Sequence, residues 1–318
     1  MTDDSIEIFD AGEARTDAEW LEIMEEIGDE AGYFEPVGPR HSAFFSDMGT
    51  TLLVSFETLS GVRGAGGGQM PLGYQIAAPR GWSSLTLLAH EDTWFRDPAV
   101  YGFFDRQIDD AFFEDFDHVV FYGAGMCGYA AAAFSVSSPG CTVLALAPQA
   151  TLDTDLADWD HRFRKARRLD FTSRFGFAPD MCEGASRVFL VYDPIQQVDA
   201  VHAAMFRGPH VTKLRARHIG RDPQAELARV NVLRPLLDAA CTNTLNAYRF
   251  WRFWRARRTS AHYLGRLVGR LQGRNRPRLL LQALRAANDL VDHPQLKQAL
   301  AKAESEAQRN AGAPGPRG

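Results

Sequence analysis

His118-Val-Val-Phe-Tyr-Gly-Ala-Gly-Met-Cys-Gly-Tyr-Ala-Ala-Ala-Ala-Phe134 decides the architecture of this 318-residue chain. Four apolar, β-favouring residues, Val119 to Tyr122, lead into a glycine corner, and an alanine-rich stretch follows. The order predicts a strand, a tight turn and a helix. Ala130 to Ala133 lack bulk, so that helix can lie close against the sheet that carries the strand.

Working outward, short apolar runs recur at Leu52–Thr58, Leu85–Ala89, His118–Tyr122, Thr142–Ala147, Arg187–Tyr192 and Val211–Leu214. Helical stretches separate them near Val100–Phe113, Tyr129–Ser135, Val198–Phe206 and Pro223–Ala239. Runs this continuous are those of strands buried on both faces, so the fold class is α/β, a mostly parallel central sheet flanked by helices. Gly61–Gly68 holds five glycines in eight residues just after the first run, where backbone amides could approach a ligand. Thr151–Cys182 is a polar, arginine-containing insertion between two strands, in the position of a pocket cap.

Two chemistries begin with a glycine corner. Gly123-x-Gly125-x-x-Gly128 matches the dinucleotide fingerprint, but the following strand, Val143 to Pro148, ends without the acid expected to hold a ribose. The second is the nucleophile elbow. Tyr122-Gly-Ala-Gly-Met-Cys-Gly-Tyr129 resembles the Tyr-Gly-Ser-Ser-Met-Gly-Gly-Tyr elbow of some α/β-hydrolase-fold proteins. Pro139-Gly140 and Leu146-Ala147-Pro148-Gln149 resemble that family's next strand and loop. The resemblance covers Leu52 to Ala239 and implies an α/β-hydrolase-like fold. It places Gly125 where the serine nucleophile stands, and Cys127 where the second elbow glycine stands.

In that fold the nucleophile precedes an acid and then a histidine, each after a strand. Asp193 follows Tyr192 and His218 follows the run Val211–Arg217, so both are candidate catalytic residues; Asp199 is the alternative acid. Glycine has no atom with which to attack a carbonyl. Cys127 at a helix N-terminus is the substitute nucleophile, although its register turns it from the attack point. Gly123, Gly125, Met126 and Gly128 are the candidate ligand-binding residues.

The functional expectation is a non-classical α/β-hydrolase-like protein without a serine nucleophile, a pseudoenzyme that binds a small molecule or serves assembly. The alternatives are an enzyme (hydrolase, lyase or transferase) using Asp193 and His218 without a serine, and a nucleotide-dependent oxidoreductase resting on the glycine triplet. No cofactor is expected. The nine histidines contain no His-Glu-x-x-His motif and no paired metal-ligand spacing, so no metal is expected either. His90 with Glu91, Asp92 and Trp94 ends a run and is a further pocket candidate. Arg162, Arg164, Lys165, Arg167 and Arg168 form a basic cluster suited to an anion.

Four domains are expected: an acidic helical segment 1–40, the hydrolase-like domain 41–240, a basic aromatic helical extension 241–310 and a disordered tail 311–318. The formal net charge of −5 is unevenly spread. Residues 1–40 carry thirteen acids against two arginines, and residues 241–280 carry ten arginines and no acid. The arginine–aromatic run within 249–278 is expected to pack on the domain, closing against the acidic head, or to meet a protein or a membrane surface; nucleic acid is not expected. Asn288–Ala303 reads as one helix. Cysteines at 127, 141, 182 and 241 without a Cys-x-x-Cys pair, and no apolar leader, point to a cytoplasmic protein.

Overall fold

The six apolar runs become six parallel strands in the computed structural model, which describes residues 8–66, 68–274 and 276–312. They are β3 (Thr51–Thr58), β4 (Ser83–Ala89), β5 (His118–Ala124), β6 (Thr142–Leu146), β7 (Arg187–Tyr192) and β8 (Val211–Arg215). Two further strands precede them, β1 (Gly32–Pro36) and β2 (His41–Ser46). The order across the eight-stranded sheet is β1-β2-β4-β3-β5-β6-β7-β8, with β2 antiparallel to both of its neighbours. The acidic head is therefore more than a helix. Its second half, Gly32–Pro36, is the edge of the sheet, recruited by Phe44 and Phe45 opposite Phe34 and Tyr33.

Period-two alternation gives the sheet two apolar faces. Leu52, Val54, Phe56, Val119 and Phe121 lie in one cluster, while Leu53, Val120, Tyr122, Leu144 and Val191 lie in another. Helix α1 (Asp17–Ala31) opens with a capping box at Thr16 and Glu19 and buries Trp20, Met24 and Ile27 in a third cluster. Short helices α2 (Leu59–Gly64) and α3 (Leu72–Ala77) follow β3 and contribute to that third cluster. Helix α4 (Pro98–Asp109), capped by Asp97, and α5 (Met126–Phe134) cover the first face.

The insertion carries α6 (Thr154–Ala157) and α7 (Ala178–Met181) and packs Phe171, Phe175 and Cys182 into the same face. Buried Arg96 holds it there by donating to the carbonyls of Asp170 and Arg174, each at 2.7 Å, and to Ser173. After α8 (Gln197–Met205) and β8, the second face is covered by α9 (Pro223–Arg229), α10 (Leu233–Cys241), α11 (Ala247–Trp254), α12 (Ala261–Gln272), α13 (Pro277–Leu290) and α14 (Pro294–Gly312).

Three expected helices are each divided; the stretch 100–113 ends at Asp109, and Ala111 at φ +54° separates it from a short helical turn at Phe112–Asp115. The stretch 223–239 breaks at Val230–Val232, where Asn231 takes φ +55°, a conformation that asparagine tolerates better than most residues. The stretch 288–303 breaks at Val291–His293, because Pro294 disfavours helical geometry in the residue before it and suits the first turn of a new helix. The expected disordered tail begins inside α14, which runs to Gly312; positions 313–318 lie outside the described residues.

The basic extension is a packed layer. Phe250, Trp254, Tyr263, Leu264, Val268 and Leu284 sink into the second-face cluster. Buried Glu226 in α9 faces Arg229 at 2.8 Å, Arg266 at 2.9 Å and His262 at 3.0 Å, which ties α12 to the domain. Among the described residues, the head's ion pairs are made elsewhere: Asp17 pairs with Arg63 and Glu35 with Arg106.

Candidate functional site

The corner after β5 is built by three glycines with different tasks. A Cβ on Gly123 would stand 2.1 Å from the Cys127 carbonyl oxygen, so this position admits nothing larger while α5 keeps its place. A Cβ on Gly128 would come within 3.1 Å of the Gly123 oxygen and 3.3 Å of the Leu146 oxygen. Gly123 and Gly128 therefore let the helix approach the sheet. Gly125 differs. Its backbone sits at φ +57°, ψ −121°, its N–H donates to the Leu146 oxygen at 2.8 Å, and a Cβ there would meet no heavy atom within 4 Å. That is a side-chain position raised on a strained turn between a strand and a helix, at the carboxyl edge of a parallel sheet.

Eight strands in a mostly parallel sheet flanked by helices make the fold α/β, as expected.

No protein-family model matches the chain, and no curated protein matches it in sequence. Solved structures of low identity do. A thermostable carboxylesterase cloned from a metagenomic library is 14% identical, with 72% of this chain and 96% of that one covered and a TM-score of 0.43. The capsule O-acetyltransferase of Neisseria meningitidis serogroup A is 10% identical, covering 64% and 92%, with a TM-score of 0.42. Carboxyl esterase 2 of the fungus Tuber melanosporum is 14% identical, covering 70% and 85%, with a TM-score of 0.39.

A cavity of about 890 Å³ opens beside the corner. Ala124, Met126 and Cys127 form its floor, Phe56, Val62, Met70, Leu72 and Leu233 its apolar walls. Its charged lining is Glu57, Asp92, Asp222 and Arg234. The Arg234 guanidinium is committed to Gln75, donating to its backbone oxygen at 3.2 Å and its side-chain oxygen at 3.0 Å. Glu57 follows from local need. Pro71 at the start of α3 offers no side-chain cap, and the Glu57 carboxylate accepts the Leu72 and Gly73 N–H groups instead, both at 2.9 Å. Burial raises the Glu57 carboxyl above the usual range, against the lowering effect of those two N–H donors and of Ser55.

Cys127 lines this cavity but is buried. Burial, followed by the charges of Glu57 and Asp92, pushes its thiol well above the ordinary value, so it is held neutral. Asp193, at the end of β7, is also buried, and its two oxygens accept the N–H groups of Ile195 at 3.0 Å and Gly220 at 3.1 Å. It pins the loop after β7 to the loop after β8. His218, at φ +67°, points its Nδ1 toward Arg270 of α12 at 3.5 Å and lines a separate cavity of about 230 Å³ with Ile195, Leu267 and Arg274. Burial, then the Arg270 charge, lowers its basicity despite nearby Asp193. Neither Asp193 nor His218 is among the residues lining the cavity at the corner. Of the expected ligand residues, Met126 faces that cavity.

Asp199 lies in the first turn of α8, buried, and pairs with Arg162 at 2.6 Å. Arg162 also grips Asp160, which accepts from His202 Nε2 at 2.9 Å, while His202 Nδ1 takes the Ala150 N–H at 3.2 Å. Burial alone would raise the Asp160 carboxyl; the bonds from His202 and Arg162 hold it well below the usual range. This cluster, not an anion, occupies Arg162, and Arg167 pairs with Asp158. In the loop after β4, His90 bonds Ser42 at 3.0 Å and His41 bonds Thr93 at 2.6 Å, which leaves Asp92 as that loop's contribution to the cavity at the corner.

Glu57, Asp222 and Arg234 are not marked as cavity residues by any motif in the sequence. Glu57 ends the first strong strand, immediately before the glycine-rich stretch, and that position was the available signal. Asp222 and Arg234 carried none, since their approach depends on how α9 and α10 fold back over β3 and β5.

Proposed function

We propose that this chain is a nucleophile-free relative of the α/β-hydrolase design, a pseudoenzyme whose cavity binds a small, largely apolar molecule without forming a covalent bond to it. The observation that carries the reading is Gly125. The elbow keeps its raised backbone and the open space before it, yet offers no oxygen, sulfur or nitrogen for attack. The buried, neutral Cys127 thiol does not replace it. A volume of about 890 Å³ suits a ligand of ordinary metabolite size. Apolar walls favour burial of a hydrocarbon portion, and the three acids of the lining, Glu57, Asp92 and Asp222, outnumber its one cation, Arg234, which disfavours an anion.

One observation supports a second reading, an enzyme working by proton transfer. The Glu57 carboxyl, raised by burial and lining the same cavity, has the character of a general acid or base.

The test pairs a binding and a turnover measurement. Titration with the neutral fluorophore Nile red should give saturable binding that is lost in Ala228→Trp, a substitution at an exposed position on the cavity lining. Hydrolysis of p-nitrophenyl butyrate should stay at the rate of buffer alone. Absence of saturable binding would sink the binding role. Turnover above buffer that disappears in Glu57→Gln would replace it with the proton-transfer reading.

A further inference from the structure

The arginine-rich helix α11 has two faces of opposite use. Phe250 and Trp254, one turn apart, are buried in the second-face cluster. Tyr248, Trp251, Arg252 and Arg255, at positions i, i+3, i+4 and i+7, are exposed along one outward stripe. Tyr248 is 70% exposed and Trp251 40%. Asn246 caps the helix by accepting the Arg249 N–H at 2.9 Å, so the stripe is presented by a rigid turn rather than a loose loop. The short helical turn Arg255–Thr259 continues it with exposed Arg258.

Residues 241–280 contain no acid. Among the described residues, Arg252, Arg255 and Arg258 pair with no carboxylate, and Arg252 lies over the Tyr248 ring at 5.8 Å. Other cations of the extension are spent on the fold: Arg249 on Thr244, Arg257 on the Trp254 oxygen and Arg266 on Glu226. The chain as a whole is acidic, so this patch stands against the net charge instead of following it.

We propose that the outward face of α11 and the turn after it dock the protein on an anionic lipid bilayer. Tryptophan and tyrosine settle at the headgroup level, where the ring is buried and the polar edge stays wet. Arginines beside them reach lipid phosphate with a planar, multi-donor group. Among the described residues no helix is long and apolar enough to cross a membrane, so the contact is peripheral. A duplex nucleic acid would take the arginines but gives a tryptophan and a tyrosine on one short helix no apolar layer to enter.

Co-sedimentation of the full chain with phosphatidylcholine vesicles, and with vesicles in which a third of the lipid is phosphatidylglycerol, tests this. Binding is expected only with phosphatidylglycerol present and should weaken as salt is raised. Each arginine near such a surface contributes about fivefold in affinity, so Arg252→Ala with Arg255→Ala should weaken binding about 25-fold. Tryptophan emission should shift to the blue on vesicle addition, and the shift should shrink in Trp251→Phe. Tyr248→Ala with Trp251→Ala should also lose binding, and the double-arginine variant, whose side chains are exposed, should keep the parent unfolding midpoint. Equal binding to both vesicle types, no binding to either, or a double-arginine variant that binds like the parent would overturn the proposal. So would tighter binding to a short DNA or RNA duplex than to the anionic vesicles.

Discussion

Replacing Gly125 by alanine should cost little, and replacing Gly123 should cost much, although both are glycines of one turn. At Gly125 the added methyl meets no atom within 4 Å, so the penalty is confined to a backbone at φ +57°, ψ −121°. Strain of that kind costs about 1–3 kcal/mol, and the loss of unfolded-chain freedom returns about 0.4–1 kcal/mol. The net expectation is about 1–2 kcal/mol. At Gly123 the methyl would stand 2.1 Å from the Cys127 oxygen and 2.3 Å from its carbonyl carbon, both backbone atoms. Helix α5 would have to withdraw from the sheet, and overpacking of this severity reaches about 3 kcal/mol or more. Gly128→Ala, at 3.1 Å from the nearest oxygen, should fall near about 1 kcal/mol. Urea unfolding followed by circular dichroism reads all three. Gly125→Ser should match Gly125→Ala within about 0.5 kcal/mol, because the hydroxyl enters open space. A Gly125→Ala loss as large as that of Gly123→Ala would refute the picture of a side-chain position raised over open space.

Two other expectations are independent of the elbow. Burial, the largest influence on His41, lowers its pKa from 6.5 to about 4, so the folded protein binds fewer protons than the unfolded chain between those values. Stability should therefore be full above pH 6.5 and fall as pH drops toward about 4, by at most about 3 kcal/mol; urea midpoints across that range should show a steeper fall for the parent than for His41→Asn, and coincident slopes would remove His41 as the cause. All four cysteines are buried, with Cys141 and Cys182 pushed up to about 12 and Cys127 raised too. An aromatic disulfide reagent at pH 8 should label the native protein only as fast as it opens, and rapid labelling of one thiol mapping to Cys127 would contradict its neutral, enclosed state.

The parallel strands were legible because both of their faces are covered. Such strands need apolar residues at nearly every position, and β3 to β8 carry that signal within one or two residues of their observed ends. The strands β1 and β2 carry less of it. Gly32–Pro36 is short, holds a glutamate and a proline and lies partly exposed at the sheet edge, so its pairing partner decides its state. The divided helices show the same limit on a smaller scale, since Asn231 and Pro294 act through single dihedral preferences inside otherwise helical patterns.

By itself the sequence determined the parallel core, the position of the strand–turn–helix corner and the presence of glycine at residue 125. These follow from local properties: continuous apolar runs, small residues at a tight approach, and a side chain that has no functional atom. Tertiary structure alone decided what surrounds the corner. Glu57, Asp92, Asp222 and Arg234 meet at one cavity because segments far apart in the chain fold back over the same sheet edge. His218 turns toward Arg270, fifty-two positions away, because Glu226 and the apolar stripe of α12 dock that helix beside the loop after β8. Spacing along a chain can place an acid and a histidine at neighbouring strand ends; the direction of each side chain depends on which distant group stabilises its charge or covers its ring.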